Sequence, residues 1–311
     1  MPAIFTAPAT VFHPDVVPYI SVDDYKNAPT AVDVSALIPG GAAAAQLMAL
    51  AVAIRSGSAW VNNLCRQILA ATLDTEARDR VRIRSDGTAL VKCSFWPVLE
   101  VDSFVAGSTP STMTAISDTA DIFLKGRKTL VVPIAGSGSS QGTVLWFPGP
   151  LRPGDRAYCQ WGYWNGWPHS QLAHAIATTD TSIQVTTTMP AALAGRIVTI
   201  WDATNSGGVN IEQLTVVSTF TGGTTIPIVG NPQFAHALPA APQAIMVSTF
   251  PDDVRQATIS LTSALIKARG AEAFEMDNIG DEPSKHELIE GGGLEDLSIA
   301  VDLLEYYRRA A

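Results

Sequence analysis

The chain has 311 residues, with 20 Lys or Arg against 29 Asp or Glu, for a formal net charge of -9. Charged residues make up 16% and hydrophobic residues 47%, against about 25% charged in an average soluble chain, which excludes a disordered tail or a solvated coiled coil. A chain so poor in basic side chains does not have the gripping of phosphate backbones as its main task, and neutral surface of this kind is what lasting protein contacts use.

Near the start, Met1–Ala9 carries no Lys or Arg, and Pro2, Pro8, Pro14 and Pro18 interrupt any apolar run, so no signal peptide is expected. The longest apolar stretch, Ala42–Ile54, is too short to span a bilayer, and no membrane partner is expected. Cys65, Cys93 and Cys159 are scattered and form neither a disulfide framework nor a zinc spacing, as expected of thiols in a reducing cytosol.

Helix is predicted first. Ser21-Val22-Asp23-Asp24-Tyr25 reads as an N-cap with an acidic first turn. After Pro39-Gly40-Gly41, Ala42–Ile54 places Leu47, Leu50, Ala51 and Ile54 at helical spacing. Ser56-Gly57-Ser58 is expected to close that helix and cap a second, Ala59–Ala71, with Val61, Leu64, Cys65 and Ile68 on one face; two such helices would pack antiparallel. From Thr72 the pattern turns to strands. Val81–Arg84, Ser85-Asp86-Gly87 and Ala89–Val91 predict a hairpin. Further strands are predicted at Leu130–Pro133, Val144–Phe147, Arg156–Trp161, Ser182–Thr186, Ile197–Trp201, Glu212–Ser218, Thr224–Ile228 and Ala244–Thr249, as in a sandwich or barrel. Gly136–Gly142 reads as a Gly/Ser loop.

Helix returns at Pro251-Asp252-Asp253 and continues through Val254, Ala257, Leu261, Leu265 and Ala268 until Gly270. Ala271–Glu290 reads as a polar arm or loop, and Gly291–Gly293 precedes a last helix, Leu294–Arg309, with acids in its first turn and Arg308 and Arg309 in its last. The expected fold class is α+β: a small helical bundle from both ends of the chain, with a large antiparallel β insertion of sandwich or barrel type. The expected divisions are 1–72, 73–250 (with two modules, 73–180 and 181–250) and 251–311.

Chemistry-bearing patterns are sparse. His13, His169, His174, His236 and His286 show no metal-ligand spacing, and no nucleophile elbow is present. The acid pairs Asp23-Asp24, Asp252-Asp253 and Glu295-Asp296 each fall at a helix start, where they complement the dipole. No enzyme activity, metal or cofactor is expected. Trp146, Phe147, Tyr158, Trp161, Tyr163, Trp164 and Trp167 crowd together as β-domain core plus an inter-subunit contact, or as a sugar platform. Arg78, Arg80, Arg82 and Arg84 alternate and would share one strand face, either solvated or ion-paired between subunits, or in weak contact with DNA or an acidic partner.

In order and texture the chain resembles the head–tail connector (adaptor) proteins of long-tailed bacteriophages, especially those infecting actinobacteria. Tyr19–Pro29 resembles the family's opening, followed by a helical pair ending in Leu64-Cys65-Arg66-Gln67. Arg80–Gly87 and Phe95–Val101 resemble its next hairpin, and Tyr163–Leu172 a segment of its larger members. Ser182–Pro251, with Ala194-Gly195, Trp201-Asp202, Glu212 and Phe234-Ala235-His236, is similar to a small β module of phage structural proteins. Asp253–Lys267 and Leu303–Arg309 resemble the closing helices, with Glu305-Tyr306 where the family often has Pro before Tyr-Arg.

The resemblance implies a structural virion protein made in the host cytoplasm and placed in the neck. It would form a homo-oligomeric ring, usually of twelve copies, between the portal protein and the stopper or tail-completion protein. Genomic DNA would pass through the lumen without sequence-specific binding. Candidate portal-docking residues are Leu294, Leu297, Val301, Leu304, Tyr306, Tyr307, Arg308 and Arg309, reached through the arm Ala271–Gly293; candidate inter-subunit residues are Arg80, Arg82, Arg84, Trp161, Trp164 and Trp167. The other readings are a different tail or receptor-binding (sugar-binding) virion protein and, more remotely, a glycan hydrolase.

Overall fold

The computed structural model describes residues 9–12, 17–30, 32–34, 37–38, 40–115, 119–134, 154–203, 210–274 and 293–308. They divide into two units, Met1–His13 with Ala71–Gly166, and Pro14–Ala70 with Trp167–Ala311. Both helices and antiparallel sheets are present, helices toward the ends and strands between them, so the fold is α+β.

The first unit consists of two antiparallel sheets. One contains β1 (Ala9–Phe12), β2 (Thr72–Arg82), β4 (Val98–Gly107), β5 (Thr114–Ala115) and β8 (Arg156–Asn165), in the order β1-β2-β8-β4-β5. The other contains β3 (Thr88–Lys92), β6 (Phe123–Lys125) and β7 (Thr129–Pro133), in the order β3-β7-β6. Alternate residues of both sheets share a core: Ala89 and Val91, Phe104 and Ala106, Leu130 and Val132, and Cys159, Trp161 and Tyr163. The Asp86-Gly87 turn forms, with Arg84 N–H and Asp86 joined to Thr88, but the strands on either side of it separate into different sheets beyond the single bridge Ile83↔Ala89. The predicted strand Val144–Phe147 and the loop Gly136–Gly142 lie outside the described residues.

In the second unit, α1 (Val22–Asn27), α2 (Ala43–Cys65), α3 (Asp252–Phe274) and α4 (Gly293–Leu304) are accompanied by β9 (His169–Gln171) and five further strands. These are β10 (Ser182–Met189), β11 (Ile197–Asp202), β12 (Asn210–Thr215), β13 (Gly223–Pro227) and β14 (Met246–Ser248). Strand β10 pairs with β13, and the remaining four order as β12-β11-β14-β9 around a core that includes Ile183, Val198, Ile200, Leu214, Ile226 and Val247. Because β9 pairs with β14, the break between the two β modules falls after Gly166, upstream of the expected 180/181 division.

The helical segments on either side of the β region meet in one bundle, whereas residues 9–12 at the N-terminal end belong to the first unit's sheet. Ile20, Val22 and Tyr25 pack with Leu50, Ala53 and Ile54 of α2 and with Ile259 and Ile266 of α3. Three helical expectations are corrected. The predicted pair Ala42–Ile54 and Ala59–Ala71 is one helix, α2, which ends at Arg66 in the left-handed conformation (φ 54°). Ser56 and Ser58 donate to the carbonyls of Val52 and Ile54, four residues back, so these hydroxyls stay within the helix instead of capping a new one. Gly57 sits where α2 meets α3: a Cβ there would lie 2.5 Å from Thr262 Oγ1. Helix α3 runs past Gly270 to Phe274, so the start of the expected arm is helical, and residues 275–292 lie outside the described residues. Helix α4 stops at Leu304, followed by a 3-10 turn at Glu305–Tyr307, so no basic residue occupies its last turn.

Candidate interface

The segment from Pro18 to Asn27 builds the junction between bundle and β module inside the second unit. Ser21 caps α1, accepting from Asp24 N–H while Asp24 Oδ2 accepts from Ser21 N–H. The other oxygen of Asp24 accepts from Arg255 Nη2 of α3 at 3.1 Å, and the Arg255 guanidinium lies 3.2 Å from the Trp201 ring centroid on β11. Burial raises the Asp24 carboxyl above its usual range against the pull of Arg255, and burial likewise lowers the Arg255 guanidinium. Asn27 donates to Ala203 O, and Gln243 donates to Asp23. Tyr19 hydroxyl donates to Asn62 Oδ1 and accepts the N–H groups of Leu69 and Ala70. His169 lies against Tyr19 and Phe250, with Nε2 2.8 Å from Pro18 O. Since a carbonyl only accepts, Nε2 carries the proton; burial, the largest cause, holds the imidazole down to about 4.

The terminal candidates separate into two groups. Leu304 and Tyr307 are buried: Tyr307 hydroxyl donates to Asp253, its carbonyl accepts from Gln67, and its ring meets Trp167 edge-on. Leu297 and Val301 are half-buried, and Tyr306 and Arg308 are exposed; the Leu294 side chain and Arg309 lie outside the described residues. Lys267 of α3 pairs with Asp296 of α4 at 2.7 Å, so the last helix is held to the bundle rather than free for a partner. The outward face of α2 is apolar, with Met48, Val52 and Trp60 exposed and Arg55 the charge among them. By length and composition α2 is also long enough to cross a membrane, unlike the shorter run expected from Ala42–Ile54, though its other face is buried in the bundle.

The aromatic cluster is mostly interior. Trp161 (1% exposed) lies in the first unit's core, roughly parallel to Phe104. Trp164 is buried and Trp167 half-buried against Tyr307, so Trp161 and Trp164 are corrected from inter-subunit candidates to buried residues. Tyr163 donates its hydroxyl to buried Glu76 and accepts Phe95 N–H. A stacking platform therefore has no exposed ring at Trp161, Tyr163 or Trp164, while Trp146 and Phe147 lie outside the described residues.

The arginine row is broken. The register between β2 and β8 shifts between Arg78 and Val81, with Arg80 in the left-handed region (φ 58°). Arg78 therefore falls on the side of Glu76 and the Trp161 ring, while Arg80, Arg82 and Arg84 are exposed beyond the bulge. All four line a shallow concavity of about 470 Å³ with Asp79, Val81 and Leu90.

Three residues that carry the resemblance of Ser182–Pro251 to a β module are brought together in its interior. His236 is fully buried, Nδ1 2.9 Å from Asp202 and Nε2 3.3 Å from Glu212, and Glu212 also accepts the N–H groups of Gln233 and Phe234. The two carboxylates stand 24 and 34 residues from His236 in sequence, so spacing alone does not show that the three meet. Burial pushes the thiols of Cys65, Cys93 and Cys159 up to about 12. Among the described residues, no group of three or more His, Cys, Asp or Glu is arranged to hold a metal ion. Comparison of the chain with protein-family models, with curated proteins and with solved structures returns no match.

Proposed function

We propose that this chain is a structural virion protein, the head-to-tail connector (adaptor) of a long-tailed bacteriophage, forming a ring between portal and stopper or tail. The reading rests on the resemblance of its opening and closing segments, and the observation that supports it best is where those segments go. Tyr19–Asn27 and Asp253–Tyr307, separated by the whole β region, are joined in one bundle through Asp24–Arg255, Tyr25–Ser263 and Tyr307–Asp253. A body closed by segments from either side of the β region tolerates a large insertion and presents a constant wedge from copy to copy. The apolar outer face of α2 and exposed Tyr306 give that wedge surface for neighbours. DNA would traverse the ring without sequence-specific binding. The test is co-expression with the portal protein: the chain is expected to co-sediment with portal rings, and sedimentation as a monomer beside intact portals contradicts the assignment.

A further inference from the structure

Beyond the bulge, the first unit carries a basic surface whose charges are incompletely matched. Arg82 of β2 stands directly opposite Arg156 of β8, a like-charge pair across an antiparallel ladder that costs stability unless negative charge comes from elsewhere. Neither has an ion-pair or hydrogen-bond partner among the described residues, while Arg80 and Arg84 reach only adjacent acids, Asp79 and Asp86, at 4.0 and 3.9 Å. Exposed Leu90 shares the concavity, and the register Leu90↔Val131↔Phe123 and Lys92↔Thr129↔Lys125 continues the surface as an apolar row and a cationic row. Phe123 is 59% exposed.

A surface of this composition fits an acidic polypeptide with apolar side chains better than a phosphate backbone. Asp79 and Asp86 interleave with the arginines and repel a continuous polyanion, whereas alternating charge with apolar anchors gives a specific protein contact. The chain itself contains such a segment. Residues 275–290 hold Glu275, Asp277, Asp281, Glu282, Glu287 and Glu290 against one Lys285, with Met276, Ile279, Leu288 and Ile289 between them.

We propose that the surface around Arg82, Arg84, Leu90 and Phe123 receives the acidic segment 275–290 of a second copy. The proposal rests on the ring reading: one face meets a different face of the next copy, which is the heterologous contact a closed ring needs. The test uses the full chain with the six acids of 275–290 changed to Asn or Gln and a fluorescent peptide of residues 275–290. The peptide is expected to bind, and Arg82→Ser with Arg84→Ser to weaken it by about tenfold or more, with a similar loss on raising salt. Thermal melts check that these exposed substitutions leave the fold intact. Mixing the acid-neutralised chain with the Arg82→Ser, Arg84→Ser chain is expected to give one-to-one dimers, since each supplies the half the other lacks. Peptide affinity indifferent to the arginines, displacement of the peptide by short duplex DNA at physiological salt, or a mixture that stays monomeric overturns the contact. Rings formed equally well by the arginine variant overturn this contact but leave the ring; the absence of rings from wild-type necks removes the ring itself.

Discussion

At the scale of single residues, two buried groups at the junction make measurable predictions. His169 has its folded-state value lowered to about 4 from 6.5, so the unfolded chain binds more protons between those values. Stability from this group is therefore present above pH 6.5 and is lost as pH falls toward 4, by up to about 3.5 kcal/mol at about 1.4 kcal/mol per unit. Urea unfolding at a series of pH values is expected to show this slope, and His169→Phe, which keeps the ring packing, is expected to flatten it. Asp24→Ala removes both the acceptor of Ser21 N–H at the start of α1 and the ion-pair partner of the Arg255 guanidinium, whose side chain is 14% exposed. A loss of about 3–5 kcal/mol in chemical denaturation is expected, as for a broken buried pair. The N-cap and acidic first turn of α1 were legible because Ser21, Asp23 and Asp24 stand together in sequence; the structure adds that Ser21 and Asp24 bond each other reciprocally. Arg255 was not, since it lies 231 residues from Asp24; Asp202, Glu212 and His236 were marked by resemblance, but not their contact with one another. Long-range polar pairs of this kind carry no periodicity.

At the scale of elements, Gly57 is the instructive error. The Ser56-Gly57-Ser58 run reads locally as a break, and intrinsic propensity favours that reading. Packing reverses it: the glycine lets α2 approach α3 at Thr262, whose hydroxyl is itself held to Thr258 O at 2.7 Å. Gly57→Ala, stabilising in an exposed helix, is here expected to destabilise by about 1–3 kcal/mol through overpacking, with Thr262→Ala restoring most of the loss in the double variant; calorimetric melts check both. The alternating strands Ser182–Thr186, Ile197–Trp201 and Thr224–Ile228 were legible because each buries one side, and they coincide with β10, β11 and β13. The arginine row was misread at the same level. A bulge at Asp79–Arg80 changes the phase of a strand without changing its composition, and only the partner strand β8 defines it. The last helix likewise reads as a free arm from its amphipathic pattern, yet Leu304 and Tyr307 are buried, so removing it would strip the bundle core. Tyr306→Ser, at an exposed position, is the substitution expected to weaken partner binding while leaving the melting temperature within a few degrees.

At the scale of the whole molecule, the sequence already marked helical ends around a β-rich middle, because period and turn chemistry change together at Thr72 and Pro251. It divided the β region into two modules at 180/181, but did not show that the second module shares a unit with the helices. The pairing of β9 with β14, between residues about eighty apart, assigns 167–250 to the unit that also holds the helices. The connector reading requires that unit to be the repeating wedge. Electron microscopy of purified phage necks carrying a tag on this chain tests that claim most directly. The account predicts label repeating around a closed ring beneath the portal, with the α1–α4 bundle forming the wall; label on tail fibres, or particles complete without this chain, would contradict it.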